Sequence, residues 1–262
     1  MTILDKIIAH KHLEVAALKK IKRAAELEKE SLFSREPLSL RDYLLKKEKT
    51  GIIAEFKRKS PSKGVINSRS TVGEVTSAYA RNGASAISVL TDREFFGGSI
   101  LDMKEAAMLK VPILRKDFMI DPYQVVEAKA YGASVILLIA ACLSKAEVKK
   151  LAGTAKGLGL SVLLEIHHEG ELDHICDPVD VVGVNNRDLK TFTVDIQRSE
   201  SLSHLIPSDK LKISESGISD PRTIQRMKKW GYDGFLMGER FMKQADPGQA
   251  FRKFAEKLKS GV

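Results

Sequence analysis

Eight times between Gly51 and the C-terminus, a short apolar run gives way to a stretch patterned for helix. The runs fall at 52–56, 84–90, 111–115, 133–139, 160–166, 180–184, 211–214 and 233–238. Short continuous apolar runs are the signature of strands buried on both faces. Helical patterns lie between and after them: Val72–Arg81, Ile100–Leu109, Pro122–Tyr131, Lys145–Gly157, a short piece near Glu169–Ile175, Ile196–Leu205, Pro221–Trp230 and Gly248–Leu258. Strands alternating with helices imply crossover connections and a parallel sheet. Eight such units in 262 residues fit a single α/β domain, the (β/α)8 or TIM barrel. The competing open, doubly wound sheet carries a GxGxxG turn after its first strand, and none is present. Gly83, Gly132 and Gly231 each stand just before a strand, where a helix turns back toward the sheet.

Ahead of the barrel lies an amphipathic segment. Residues 2 to about 31 read as helix, with Leu4, Ile7, Ile8, Leu13, Ala16, Leu18, Ile21, Ala24 and Leu27 near a 3.6 period. Ser39-Leu40-Arg41-Asp42 opens another short helix after Pro37. Isolated helices are marginal, so this extension must pack on something. The expected division is residues 1–45 as a helical extension packing on the barrel and 46–262 as the catalytic barrel.

Catalytic groups of such barrels gather at the C-terminal ends of the strands. The first strand ends with Glu55 and Lys57, two apart and therefore on one side of the sheet. The third ends at Lys116, the fifth at Glu165, and the sixth at Asn185 and Arg187. The seventh ends in Glu215, Ser216 and Gly217, and the eighth in Gly238 and Glu239. Each group alone has a bland reading: Glu55–Lys57 as a structural ion pair, Lys116 as a surface lysine, Gly217 and Gly238 as tight turns. Six polar strand ends out of eight resist that explanation collectively, because burying charge is costly unless it is paired or used. Glycine turns after the last two strands, with a helix start at Glu239, make the usual barrel phosphate site. Ser60, in the turn Ser60-Pro61-Ser62 after the first strand, could close that cradle.

Composition narrows the function. A net charge of +9 raises nucleic-acid binding, but the lysines are scattered and aromatics are only 6%. A substrate carrying phosphate and carboxylate suits the basic bias better. No window reaches the length of a membrane span, and the N-terminus lacks a secretory signal pattern. Cys142 and Cys176 have neither metal nor redox spacing, as in a reduced, cytoplasmic protein. His167, His168, His174 and Cys176 do not space as a metal site either.

The motifs AEFKRKSPSKG, SVLTDREFFGGS, PILRKDF, LLEIH, GVNNRDLKTF, ISESGI and FLMGE follow one another between Ala54 and Glu239. In this the sequence resembles indole-3-glycerol-phosphate synthase, the barrel lyase of tryptophan biosynthesis. The resemblance implies a carboxy-lyase that needs no metal and no organic cofactor. Its substrate would be 1-(2-carboxyphenylamino)-1-deoxyribulose 5-phosphate, and its products indole-3-glycerol phosphate, CO2 and water. It further implies Lys116 as general acid on the substrate ketone and Glu165 as acid and base for dehydration, with Lys57 and Glu55 beside them. Asn185 and Arg187 would orient the substrate and Ser216 would touch it. Ser60, Gly217, Gly238 and the Glu239 amide would hold the phosphate, and Phe96, Phe118 and Leu137 would line the aromatic wall. Both Lys57 and Glu165 fit as the acid in dehydration. The expected partner is this small phosphorylated molecule, with no nucleic acid or membrane; self-association and contact with other enzymes stay open. Two features depart from the family pattern: Lys59 before the SPS turn and the doubled Phe95-Phe96, both candidates to alter loop mobility.

The chemistry suits these residue types. Ring attack on a ketone places negative charge on the carbonyl oxygen, which a positioned ammonium stabilises and protonates. A different phosphate-binding barrel, an isomerase or a Schiff-base aldolase using Lys57 or Lys116, is the nearest enzymatic alternative. A non-enzymatic nucleic-acid binder is the remaining one.

Overall fold

The computed structural model describes residues 2–261. Eight parallel strands close into a barrel: β1 Ile52–Phe56, β2 Ala86–Leu90, β3 Ile113–Lys116, β4 Val135–Ile139, β5 Ser161–Ile166, β6 Val181–Asn185, β7 Leu211–Glu215 and β8 Gly234–Met237. β1 closes the ring, pairing Ile53 with Leu236 of β8 and Ala54 with Ile87 of β2. β1, β2, β4, β6 and β8 are buried along their whole length, as the continuous apolar runs require, and in the other three only Lys116, Ser161 and Lys212 are partly exposed.

Period-two alternation sorts the side chains. Outward residues such as Ile52, Ile87, Ile136, Leu164 and Val182 join the shell core under the surrounding helices. Inward residues Ile53, Ala86, Leu114, Val135, Leu137, Leu163, Val181, Ile213 and Leu236 fill the barrel. Continuing the inward rows by two residues gives Glu55, Lys116, Glu165 and Glu215 at the top, and by four, past Gly183, gives Asn185. The barrel core therefore becomes ionisable only in its last layer, at the mouth.

The N-terminal segment differs from its sequence reading as one helix. It forms α1 (Ile3–Ile21), breaks at Lys22 and Arg23, and resumes as α2 (Ala24–Leu27). Lys22 takes an extended backbone at φ −143° and ψ 117°, and its carbonyl accepts from Tyr123 Oη at 2.9 Å. A tertiary hydrogen bond thus replaces the helical one, while Glu26 Oε2 caps the Arg23 N–H at 2.8 Å. The chain then runs down the barrel's flank, where Val15 and Leu27 pack with Tyr123 and Ala130 of α6 (Pro122–Ala130). It ends in α3 (Leu40–Leu45), capped by Ser39 Oγ, whose Leu40 and Leu44 belong to the barrel's interior cluster. Leu44 lies against Gly234 at the N-terminal end of β8, so α3 plugs the floor. α1 covers the other end: Ile3, Leu4 and Ile7 line the cavity at the mouth.

The remaining helices are α4 (Val72–Arg81), α5 (Ile100–Ala106), α7 (Lys145–Gly157), α8 (Gln197–Ser203), α9 (Pro221–Lys229), α10 (Glu239–Met242) and α11 (Pro247–Ser260). Between β5 and β6 the expected short helix is instead a 3₁₀ segment, Glu169–His174. Capping residues set several starts, including Thr71, Asp121 and Ser144. Met227, Met237 and Met242 are buried in the shell core, and both cysteines are free.

Candidate active site

The charged layer at the mouth is built around Lys116. Its Nζ donates to Glu165 Oε2 at 2.8 Å and to Glu215 Oε2 at 3.0 Å, joining the ends of β3, β5 and β7. Asn185 Nδ2 donates to the other oxygen of Glu165 at 3.0 Å, and Asn185 Oδ1 accepts from the Arg187 backbone at 3.0 Å. Across the mouth, Lys57 Nζ lies 2.7 Å from Glu55 Oε1. Two lysines and three carboxylates, four of the five contributed by different strands, surround one space.

Burial and charge set their protonation. Burial favours the neutral amine of Lys116, but Glu165 and Glu215, with Glu55 beyond, outweigh it and hold the ammonium. Burial also works to protonate Glu165; Lys116, His167 and Asn185 overcome it and keep this carboxylate well below the usual range. Glu215 goes the other way. Burial and the neighbouring Glu165 push it up to about 7 despite its contact with Lys116. Two carboxylates on one lysine thus divide into an ionised base and a group that carries a proton near neutrality.

Two adjoining cavities share this rim. The deeper one is lined by Glu55, Lys57, Ser60, Phe96, Lys116, Phe118, Leu137, Glu165, Asn185, Arg187, Ser216 and Glu239, with Glu215 and the apolar face of α1. Phe96 and Phe118 face each other with centroids 6.1 Å apart, which leaves an apolar wall beside Leu137. The second cavity holds Gly217 and Gly238 and shares Ser216, Arg187 and Glu239 with the first. Its cations are Lys57, Lys63, Arg187, Arg240 and Lys243, against the carboxylates Glu55 and Glu239 alone. That imbalance suits an anion. Ser60 lines only the deeper cavity; Lys63 of the same loop reaches the basic one.

Backbone geometry adds detail. Ser216 sits at φ +68° and Gly217 at φ +77°, so the turn after β7 contains a left-handed serine. Buried Asn186 holds it, donating from Nδ2 to the Ser216 carbonyl at 3.1 Å. A Cβ at Gly238 would stand 2.7 Å from Glu55 Oε1 and 2.9 Å from its Cβ. The absence of a side chain at Gly238 therefore leaves the space that Glu55 occupies. Arg187 Nη2 meets Glu239 Oε2 at 3.3 Å, so the side chain of Glu239, the first residue of α10, is engaged. The two departures from the family pattern have partners: Lys59 Nζ donates to the Glu94 carbonyl at 2.6 Å, and Phe95 packs edge-on against His10 of α1.

Sequence reasoning missed a second charged cluster. Lys11 of α1 is fully buried, with Nζ 2.9 Å from both Asp92 Oδ2 and Asp117 Oδ1 and 3.0 Å from Glu14. Asp92 Oδ1 accepts from the Phe95 and Phe96 backbones, and Asp117 Oδ1 from the Phe118 backbone. The same charge set thus seats α1 and orders the aromatic wall. The only signal was a lysine on the helix's apolar stripe, four residues after Ile7. In the sequence Glu215 stands out as a polar strand end without an assigned role, and His167 enters only among residues whose spacing does not fit a metal site. Among the described residues no group of His, Cys, Asp and Glu is arranged to hold a metal ion.

The family model for indole-3-glycerol phosphate synthase matches residues 4–254. The chain belongs to the indole-3-glycerol phosphate synthase family. It is 44% identical over 257 residues to indole-3-glycerol phosphate synthase of Bacteroides thetaiotaomicron, covering 98% of each chain. To the enzyme of that name from a Polaromonas species it is 43% identical over 253 residues, 95% of this chain and 96% of the relative. The crystal structure of 3-hexulose-6-phosphate synthase from Salmonella typhimurium superposes with a TM-score of 0.62 at 12% identity, covering 80% of this chain and 99% of that one. That likeness concerns the barrel fold alone. No helix among the described residues is long and apolar enough to cross a membrane.

Proposed function

We propose that this family member closes the indole ring of 1-(2-carboxyphenylamino)-1-deoxyribulose 5-phosphate, a small phosphorylated substrate, and releases CO2 and water with the side chains at the barrel mouth. The observation that carries the assignment of roles is the Lys116 ammonium, held by Glu165 and Glu215 and open to a cavity with an aromatic wall and a basic annex. The anthranilate ring lies against Phe96, Phe118 and Leu137. The phosphate takes the basic cavity, on the Ser216-Gly217 and Gly238-Glu239 turns, with Lys63 and Lys243 as additional cations and Ser60 closing from the first loop.

Lys116 protonates the ketone oxygen as the ring carbon attacks, the step at which negative charge develops. Loss of the carboxylate as CO2 then leaves the electron pair that restores the aromaticity of the benzene ring. Dehydration removes the former ketone oxygen as water. Glu165, ionised at rest, serves as base and carries the proton onward, while Lys57, paired with Glu55, stands across the mouth as the second proton donor. Asn185 and Arg187 fix the substrate's orientation, and Ser216 contacts it beside them. A Schiff base at Lys116 is disfavoured, since attack needs a free amine and two carboxylates hold the ammonium. Residues 1–45 act as an extension of the 46–262 barrel, roofing and flooring it; the end residues Met1 and Val262 of that division lie outside the described part.

The test is turnover of this substrate followed by indole fluorescence. Lys116→Ala is expected to lower kcat by at least about 100-fold while far-UV dichroism is unchanged. Turnover like that of the parent chain would remove Lys116 from the mechanism.

A further inference from the structure

We propose that His167 is a positioning residue for Glu165, the inner member of a relay Glu171–His167–Glu165 standing behind the barrel mouth. The inference rests on the reading of Glu165 as acid and base. His167 follows Glu165 by two residues, so both side chains leave the end of β5 on one side. The ring is buried, and neither cavity at the mouth is lined by it. Its Nε2 lies 3.2 Å from Glu165 Oε1 and its Nδ1 lies 3.4 Å from Glu171 Oε2. Both nitrogens meet the carboxylates off the line of a good hydrogen bond, so the contact is one of charge. Glu171 is itself fixed: Oε2 accepts from the His167 backbone at 2.6 Å, and Oε1 lies 3.2 Å from exposed His168.

The groups facing His167 are acidic on both sides. Glu165 comes from β5, Glu171 from the 3₁₀ segment and His168 from the residue that precedes it. Lys116 of β3 lies beyond Glu165, and the Cys142 thiol beside the two carboxylates stays neutral because burial and both acids push its pKa up. Burial opposes the imidazolium, but Glu165 and Glu171 outweigh it and raise the ring to about 9. Glu165 therefore carries a cation on each oxygen, Lys116 on Oε2 and His167 on Oε1. When Lys116 passes its proton to the ketone, one of those cations is gone. The imidazolium is what then keeps Glu165 ionised and able to act as base.

The test uses the full chain with His167→Gln and Glu171→Gln, the latter leaving the ring in place. Turnover is followed from about pH 3 to about pH 9, and the ring of His167 in the parent and in Glu171→Gln is titrated by NMR. The acid limb of kcat is expected to move up by about one pH unit in His167→Gln, whereas in Glu171→Gln, whose ring is still an imidazolium at acid pH, kcat is expected to fall as pH rises past the lowered ring value, with KM within about twofold in both. The parent ring should titrate above about pH 8 and fall toward the free-imidazole value in Glu171→Gln. An acid limb unmoved in His167→Gln, a uniform drop in kcat at every pH in either variant, or a parent ring titrating near about 6.5 would overturn the relay. The NMR titration does not depend on turnover. A parent chain inert on the substrate would reject the functional reading, and the ring titration would still judge the relay.

Discussion

Gly238 shows how one position can serve two neighbours. Its missing Cβ leaves room for Glu55, whose Oε1 would be 2.7 Å from an added methyl. Gly238→Ala is therefore expected to disturb the Glu55–Lys57 pair as well as the turn, so kcat should fall about tenfold or more alongside a raised KM. Steady-state kinetics check this, and a change in KM alone would limit Gly238 to the phosphate turn. At this scale most of the site was legible: Glu55, Lys57, Lys116, Glu165, Asn185 and Arg187 all stand where an apolar run turns polar. Asn186 and His167 were not, although they are neighbours of assigned residues. Their roles depend on which group lies across the fold, the Ser216 carbonyl and Glu171, and a linear pattern carries no such information.

The extension acts as a pair of closures joined by a flank. α3 inserts Leu40 and Leu44 into the base of the barrel, whereas α1 lays Ile3, Leu4 and Ile7 over the mouth and anchors itself through Lys11. Burial opposes a charge on Lys11, but Asp117, Asp92 and Glu14 raise its pKa and hold the ammonium. The two ends should respond differently to substitution. Leu40→Ala should cost roughly 2–5 kcal/mol of stability by leaving a cavity in the floor, with KM unchanged. Lys11→Met strands two buried carboxylates and should cost about 3–5 kcal/mol. It should also raise KM, because Asp92 and Asp117 order the Phe96 and Phe118 backbones. Denaturant unfolding with parallel kinetics separates the two, and equal kinetic effects would refute the division between floor and roof. The sequence announced these helices through their 3.6 period. It missed the break at Lys22 and Arg23, because Tyr123, about a hundred residues away, takes up the freed carbonyl.

For the molecule as a whole, the buried charges set the dependence of stability on pH. His167 titrates at about 9 in the folded chain against an ordinary 6.5, so the folded state holds more protons than the unfolded one between those values. Its contribution is whole below about pH 6.5 and disappears as pH rises toward about 9, a loss bounded at about 3 kcal/mol. Glu215, raised from 4.5 to about 7, removes stability over that lower interval as pH rises. Glu165 and Asp117, held below the usual range by Lys116 and by Lys11 against their burial, contribute above the ordinary carboxylate pKa and lose it as pH falls. The melting temperature should therefore decline between about pH 6.5 and about pH 9, and His167→Gln should flatten that decline. An equal slope in both chains would refute the assignment. The sequence by itself determined the barrel, its strand count and the polar ring at the strand ends, because burial on both faces and the need for crossovers are local, periodic demands. Only the tertiary structure decided which charges meet: Lys116 with Glu215, Lys11 with Asp92 and Asp117, His167 with Glu171. Those pairings are set by closure of the ring and docking of the extension, and charge–charge energies at such distances depend on coordinates that no residue spacing specifies.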